Sequence, residues 1–124
     1  MRELVIKKCE KCGALVEVLR DCTCENCGIK CCGEVMKELI PSVTEEASKH
    51  LPEIEVLGDK IKVTFNHPME EEHLIEYVWM VNENRVCKQA LEANSAASCT
   101  FKYKKGATIY SYCNKHGLWK KEVK

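Results

Sequence analysis

The sequence carries no excess of either charge. Nineteen Lys and Arg balance 19 Asp and Glu over 124 residues, for a formal net charge of +0. The two signs are interspersed, which argues against a nucleic-acid or membrane surface, because both need a standing positive field. Long apolar runs are also missing. Stretches such as Val78–Val81 fall far short of the roughly 20 residues that span a bilayer. The segment from Met1 to Cys9 has no apolar stretch of signal-peptide length, so a cytoplasmic location is expected. Internal repeats and low-complexity tracts are absent. Finally, residues 1–37 are poor in large apolar side chains. Such a block cannot build much of a core, and a metal has to do the work that burial does elsewhere.

Cysteine is abundant. There are 10, of which seven fall within the first 32 residues. In a reducing compartment, clustered cysteines bind metal more often than they form disulfides. Cys9-Glu10-Lys11-Cys12-Gly13 is a metal knuckle: two residues between thiolates let both sulfurs face one ion, and the glycine permits the tight turn. Two second pairs could complete a tetrahedron. Cys24-Glu25-Asn26-Cys27-Gly28 repeats the knuckle, as in a zinc ribbon or rubredoxin. Cys31-Cys32 offers vicinal ligands, which are rarer because neighbouring side chains must swing round to one metal. Spacing favours zinc and the Cys24/Cys27 pair, although four sulfurs bind zinc and iron alike. Cys87 and Cys99 lie in predicted strands and read as small buried hydrophobes.

The chain is expected to be mainly β. Residues 1–37 form the small metal-stapled domain, with one short strand at Leu15–Leu19. Residues 38–124 form the larger domain, opening with a connection to about residue 52 in which 45–49 suit a helical turn. Alternation from Ile54 to Phe65 around Gly58-Asp59 predicts a hairpin. Further strands are predicted at Leu74–Val81, Arg85–Leu91, Thr100–Lys104, Thr108–Tyr112 and Leu118–Val123. Six or seven short strands in about 70 residues point to an antiparallel sandwich or barrel.

The four histidines all sit at predicted strand ends or loops, where a rigid sheet usually carries its site. His50 precedes the first strand of the larger domain, His67 and His73 flank a five-residue loop, and His116 follows Cys113 by three positions. Four imidazoles and one thiolate exceed the tetrahedral set of zinc. They suit a five-coordinate iron with one open position for small-ligand redox chemistry. A thiolate opposite that position would push electron density through the metal, towards a small oxygen species.

In combination, three segments resemble the superoxide reductase family, of the desulfoferrodoxin type. They are Lys49-His50-Leu51-Pro52, His67-Pro68-Met69-Glu70-Glu71-Glu72-His73 and Cys113-Asn114-Lys115-His116-Gly117-Leu118-Trp119. Cys9, Cys12, Cys31 and Cys32-Gly33-Glu34 are similar to the family's desulforedoxin-like N-terminal domain, so the resemblance covers nearly the whole chain. It implies an immunoglobulin-like β-sandwich, neelaredoxin-like in type, with ferrous iron held by His50, His67, His73 and His116 in the plane and Cys113 axial. It implies a second iron, with zinc as the alternative, on Cys9, Cys12, Cys31 and Cys32 in place of Cys24 and Cys27. The implied reaction reduces superoxide by one electron to hydrogen peroxide. Rubredoxin or a similar protein would donate the electron, and the chain would be a homodimer. Lys49 is the implied catalytic residue, attracting the anion and organising water for proton delivery. Lys115 would add to the same field by its charge alone, although an exposed loop lysine is an equal reading of it. The chain departs from the family pattern at Ser48, which stands where a glutamate normally supplies the sixth ligand of oxidised iron. It departs again at Cys22, Cys24 and Cys27, which the family domain does not need. The rival readings are a zinc-ribbon adapter and an electron carrier without catalysis.

Overall fold

The structure, a computed structural model, describes residues 3–43, 50–102 and 105–123. It divides into two units, Glu3–Ile40 and a larger one that runs from Pro41 onward.

The smaller unit has five short strands: β1 (Ile6–Lys8), β2 (Leu15–Glu17), β3 (Lys30–Cys31), β4 (Glu34–Val35) and β5 (Lys37–Glu38). β1 is the centre of a three-stranded antiparallel sheet in the order β2-β1-β5, and β3 pairs with β4 as a separate ribbon. Because β5 pairs with β1, the unit runs to Ile40, past the expected boundary at residue 37. Its buried side chains are few: Leu4, Ile6, Cys9, Met36 and the stem of Lys7. Burial of Lys7 is tolerated because its ammonium lies 2.9 Å from the Asp21 carboxylate. The strand expected over Leu15–Leu19 stops at Glu17, and Leu19 is 92% exposed.

The larger unit contains β6 (Glu53–Leu57), β7 (Lys60–Thr64), β8 (Ile75–Val81), β9 (Val86–Ala90), β10 (Ser98–Lys102), β11 (Thr108–Cys113) and β12 (Gly117–Glu122). They form two antiparallel sheets, β10-β7-β6 and β12-β11-β8-β9. The chain crosses between the sheets after β7, β9 and β10, giving a Greek-key, immunoglobulin-like sandwich. The predicted hairpin is β6–β7, closed by Gly58-Asp59 with Gly58 at φ +65°. No helix occurs among the described residues. The helical turn expected at 45–49 lies outside them, as do Tyr103 and Lys104 at the end of the strand expected to reach 104.

Alternating side chains fill the space between the sheets. Ile61, Val63, Cys99 and Phe101 come from one sheet, and Ile75, Val78, Met80, Ile109 and Cys113 from the other. Cys87 is half-buried and packs against this core, while Cys99 lies within it. The β8–β11 ladder shifts register between Tyr112 and Cys113: Tyr112 pairs with Tyr77, but Cys113 pairs with Ile75. The shift passes over Glu76, so that the fully buried Ile75 faces the core where strict alternation would place an acid. Cys113 is thereby the last, fully buried residue of its strand.

Candidate metal centres

One end of the sandwich gathers the four histidines and Cys113. Cys113 ends β11, and His116 lies in the turn to β12, which Gly117 closes at φ +82°. His67 follows β7. His73 precedes β8 and is tied back to Glu70 by reciprocal backbone hydrogen bonds of 3.0 and 3.1 Å. His50 leads into β6. One ligand atom from each of the five residues lies within 4.8 Å of all the others.

The imidazoles close into a ring. Successive centroids are 4.9 Å apart for His50–His67, 4.6 Å for His67–His73, 5.0 Å for His73–His116 and 4.7 Å for His116–His50. Each ring is tilted from the next by 57–76°. His50 Nε2 lies 3.0 Å and His73 Nε2 3.3 Å from His116 Nδ1. Cys113 Sγ lies 3.4 Å from His67 Nε2 and 3.5 Å from His116 Nδ1. His116 presents Nδ1, the nearer nitrogen, because it reaches the cluster from a turn only three residues beyond Cys113. His67 Nδ1 donates to the Pro68 carbonyl at 2.7 Å, which leaves the Nε2 lone pair facing the cluster. Nitrogen lone pairs this close repel one another unless a proton or a cation lies among them. This donor set, nitrogen-rich with one sulfur, fits a transition metal such as iron. The thiol is buried, three imidazoles are half-buried and His116 is exposed, so the ring faces solvent on the side away from Cys113.

Four residues to which the sequence assigned no role hold this ring in place. The Trp119 indole stacks on His50 at 4.6 Å and 6°, and its Nε1 donates to the His116 carbonyl at 3.1 Å. Ser111 Oγ donates to the His50 carbonyl at 3.2 Å, and Lys121 Nζ to the Pro52 carbonyl at 2.9 Å. Asn114 grips both neighbours of His73: Leu74 N–H donates to its Oδ1 and its Nδ2 donates to the Glu72 carbonyl, each at 3.1 Å. The signal for Trp119 and Asn114 was their place within the Cys113–Trp119 segment. Ser111 and Lys121 left no signal. Lys115 is exposed in the same turn, whereas Ser48 and Lys49 lie outside the described residues.

A second cluster lies in the smaller unit. Cys9, Cys12, Cys31 and Cys32 also bring their sulfurs within 4.8 Å of one another. Gly13, at φ +80°, closes the knuckle through its N–H to the Cys9 carbonyl at 2.9 Å. Cys32 and Gly33 form the two-residue turn between β3 and β4, at φ +54° and +78°. The backbone thus does the swinging that vicinal ligands require, at the cost of a left-handed cysteine, about 1–2 kcal/mol. Sulfur separations are 3.6 Å for Cys12–Cys31 and 3.9 Å for Cys31–Cys32. The Cys12 backbone N–H brings the Cys9 thiol down to about 7. The neighbouring thiols, Cys12 first, push Cys31 up to about 12. One sulfur ionises readily and then opposes the next, an imbalance that a bound cation removes. The four sulfurs therefore fit a thiophilic metal.

Cys24 and Cys27, the pair that spacing favoured, stand outside this group. They are joined as a disulfide with Cα atoms 5.8 Å apart, contrary to the expectation of reduced, metal-bound thiols. Asn26, at φ +59°, curls their loop onto itself, while β3 delivers Cys31 to Cys12.

The desulfoferrodoxin family model matches residues 42–122. A desulfoferrodoxin of Nitratidesulfovibrio vulgaris is 38% identical over 95% of both chains. One of Syntrophotalea carbinolica is 35% identical over 97% of both. Among solved structures, the superoxide reductase from Treponema pallidum matches with a TM-score of 0.79 and 24% identity, covering 98% of this chain and 99% of that one. The superoxide reductase (neelaredoxin) from Archaeoglobus fulgidus, as a single-residue variant in the reduced form, matches with a TM-score of 0.52 and 27% identity over 61% of this chain and 89% of that one.

Proposed function

The chain belongs to the desulfoferrodoxin family, and from that premise we propose that it is a superoxide reductase. The observation that carries this reading is the closed ring of four imidazoles above a buried thiol. Ferrous iron, when bound, supplies the single electron that converts superoxide and two protons into hydrogen peroxide. His50, His67, His73, His116 and Cys113 would hold it. The Cys113 thiolate would favour release of that electron, because a buried anion is a stronger electron donor than a neutral imidazole. Lys49 would draw superoxide towards the solvent-facing side of the imidazole ring and hold the water that delivers protons; its cation favours an incoming anion. Lys115 adds to that field. Ser48 is too short and uncharged to stand in for a carboxylate; solvent, or Glu45 or Glu46 from the same segment, would take that place.

Cys9, Cys12, Cys31 and Cys32 would hold a second ion, iron or zinc, that folds the N-terminal domain, which ends at Ile40. The segment from Pro41 onward forms the catalytic domain. A rubredoxin-like protein donates the electron, the chain works as a homodimer, and it resides in the cytoplasm. No helix of the described residues is long and apolar enough to cross a membrane.

Pulse radiolysis or a coupled superoxide assay on the iron-loaded protein tests the central claim. Cys113→Ser and His50→Ala should abolish superoxide consumption, and a wild-type rate in either variant overturns it. Metal analysis separates the structural alternatives. Two irons per chain agree with an iron N-terminal site, and one iron with one zinc agrees with a zinc staple. Zinc alone would sink the enzyme reading.

A further inference from the structure

The reaction leaves Cys22, Cys24 and Cys27 without a task, yet all three are exposed on one short loop. The ends of that loop are pinned. At its start, Asp21 is held by the buried Lys7 at 2.9 Å and accepts the Cys22 backbone N–H at 2.8 Å. At its end, Gly28 packs so closely on β4 that an added Cβ would fall 2.7 Å from Val35 Cγ1. Between these anchors, the left-handed Asn26 turns Cys24 and Cys27 towards each other.

Three thiols so near in sequence suggest a third metal site, but the geometry does not assemble one. Among the described residues only two groups of His, Cys, Asp and Glu converge, and this loop contributes to neither. Cys22 Sγ is turned to the Asp21 carboxylate, at 3.5 Å, while the other two sulfurs are bonded to each other. A pair of sulfurs in bonding contact, open to solvent and tethered by two residues, is the arrangement of a reversible dithiol.

We propose that Cys24 and Cys27 form a redox-active dithiol that reduces hydrogen peroxide. One sulfur, as thiolate, attacks a peroxide oxygen and the O–O bond breaks. That sulfur becomes a sulfenic acid, and the departing hydroxide takes up a proton to leave as water. The second sulfur then displaces the sulfenic hydroxyl, which leaves as a second water with the remaining thiol proton, and the S–S bond forms. Two thiols and one peroxide give one disulfide and two waters; peroxide gains two electrons and each sulfur loses one. A small dithiol returns the pair to its reduced state by exchange. The inference rests on the superoxide reductase reading only for the source of the peroxide. Cys22 takes no part in the bond.

The sequence makes the test clean. Trypsin cuts after Arg20 and Lys30, releasing residues 21–30 with Cys22, Cys24 and Cys27 and none of the metal-cluster cysteines. Reduced, iron-loaded protein is treated with stoichiometric hydrogen peroxide, then denatured, alkylated, digested and weighed. The expected product is peptide 21–30 falling from three alkyl groups to one, with the remaining group on Cys22 and two hydrogens fewer. Dithiothreitol should restore three. In Cys27→Ser, a sulfenic-acid trap should mark Cys24, while superoxide consumption stays at the wild-type rate. Three alkyl groups persisting after peroxide overturn the proposal, and so does a bond that includes Cys22. A third metal per chain that disappears in Cys24→Ser overturns it as well. Because peroxide is added directly, a chain unable to reduce superoxide still gives a readable answer.

Discussion

Replacing Asn114 by alanine isolates the support of one metal ligand without touching any ligand. The Asn114 side chain accepts from Leu74 N–H and donates to the Glu72 carbonyl, both at 3.1 Å, and so fixes the peptide units on either side of His73. Its backbone N–H, which donates to the Leu74 carbonyl at 3.2 Å, survives the substitution. Each lost hydrogen bond costs about 1 kcal/mol net, and a buried donor left unpaired costs about 1–3 kcal/mol. Leu74 is buried, so its N–H falls in the costlier class. The sum is about 2–3 kcal/mol. For a domain of this size, about 4–8 °C of melting temperature accompanies each kcal/mol, so the metal-free protein should melt roughly 10–20 °C lower. Iron affinity should fall as well, by about 10–100-fold, the usual effect of removing a group that orients a ligand. Calorimetry on metal-free protein reads the first effect, and competition against a chelator reads the second. Lys115→Ala, a change at the exposed neighbour in the same turn, should move neither. If Asn114→Ala melts with wild type and competes equally well for iron, the clamp on His73 is not what orders that loop.

Three further outcomes follow from the packing. Trp119→Phe keeps an aromatic face against His50 but loses the 3.1 Å bond to the His116 carbonyl, costing about 1 kcal/mol, whereas Trp119→Ala also empties a buried site and costs about 3–5 kcal/mol by urea titration. Burial pushes the Cys99 thiol from 9.0 up to about 12. The folded state therefore keeps its proton where the unfolded chain releases it; this stability is complete below pH 9 and is lost as pH rises towards 12. Urea unfolding at about pH 8 and about pH 11 should show wild type losing ground to Cys99→Val, and parallel curves would refute it. Gly28→Ala drives a Cβ to 2.7 Å from Val35 Cγ1; because Val35 is exposed and its side chain can turn away, the smaller unit should lose only about 1 kcal/mol. Adding Val35→Ala should recover most of that loss, and a double variant no better than the single would place the strain elsewhere.

The larger unit was readable because its information is local. Ile54 to Phe65 alternates around a glycine turn, and β6–β7 follows it residue by residue. The register shift beside Cys113 was not readable, since it depends on which residue of β8 the opposite sheet needs to bury. The smaller unit offered little periodicity. Strands β3, β4 and β5 are two residues each and almost wholly exposed, so no hydrophobic face marks them. Its cysteine pairing turned on backbone conformation rather than spacing. Repetition of the knuckle favoured Cys24/Cys27, but the left-handed Cys32-Gly33 turn is what carries two adjacent sulfurs to the Cys9/Cys12 knuckle.

The site divides along the same line. Histidine is scarce in this chain, with four in 124 residues, and all four stand at strand ends, so the ligands could be counted before any geometry was known. The groups that aim those ligands are ordinary residue types: an asparagine, a tryptophan, a serine and a lysine. Their roles appear only when β11 and β12 pair, which sets Ser111 opposite Trp119 and closes the turn that carries Asn114 and His116. Ser111 then supports the His50 carbonyl while Trp119 covers the His50 ring. One cross-strand pair thus holds a ligand from a segment more than 60 residues earlier in the chain. The hairpin bearing Cys113 and His116 is therefore both the source of two ligands and the scaffold for a third. Damage to its register should disperse the ring more completely than loss of any single imidazole.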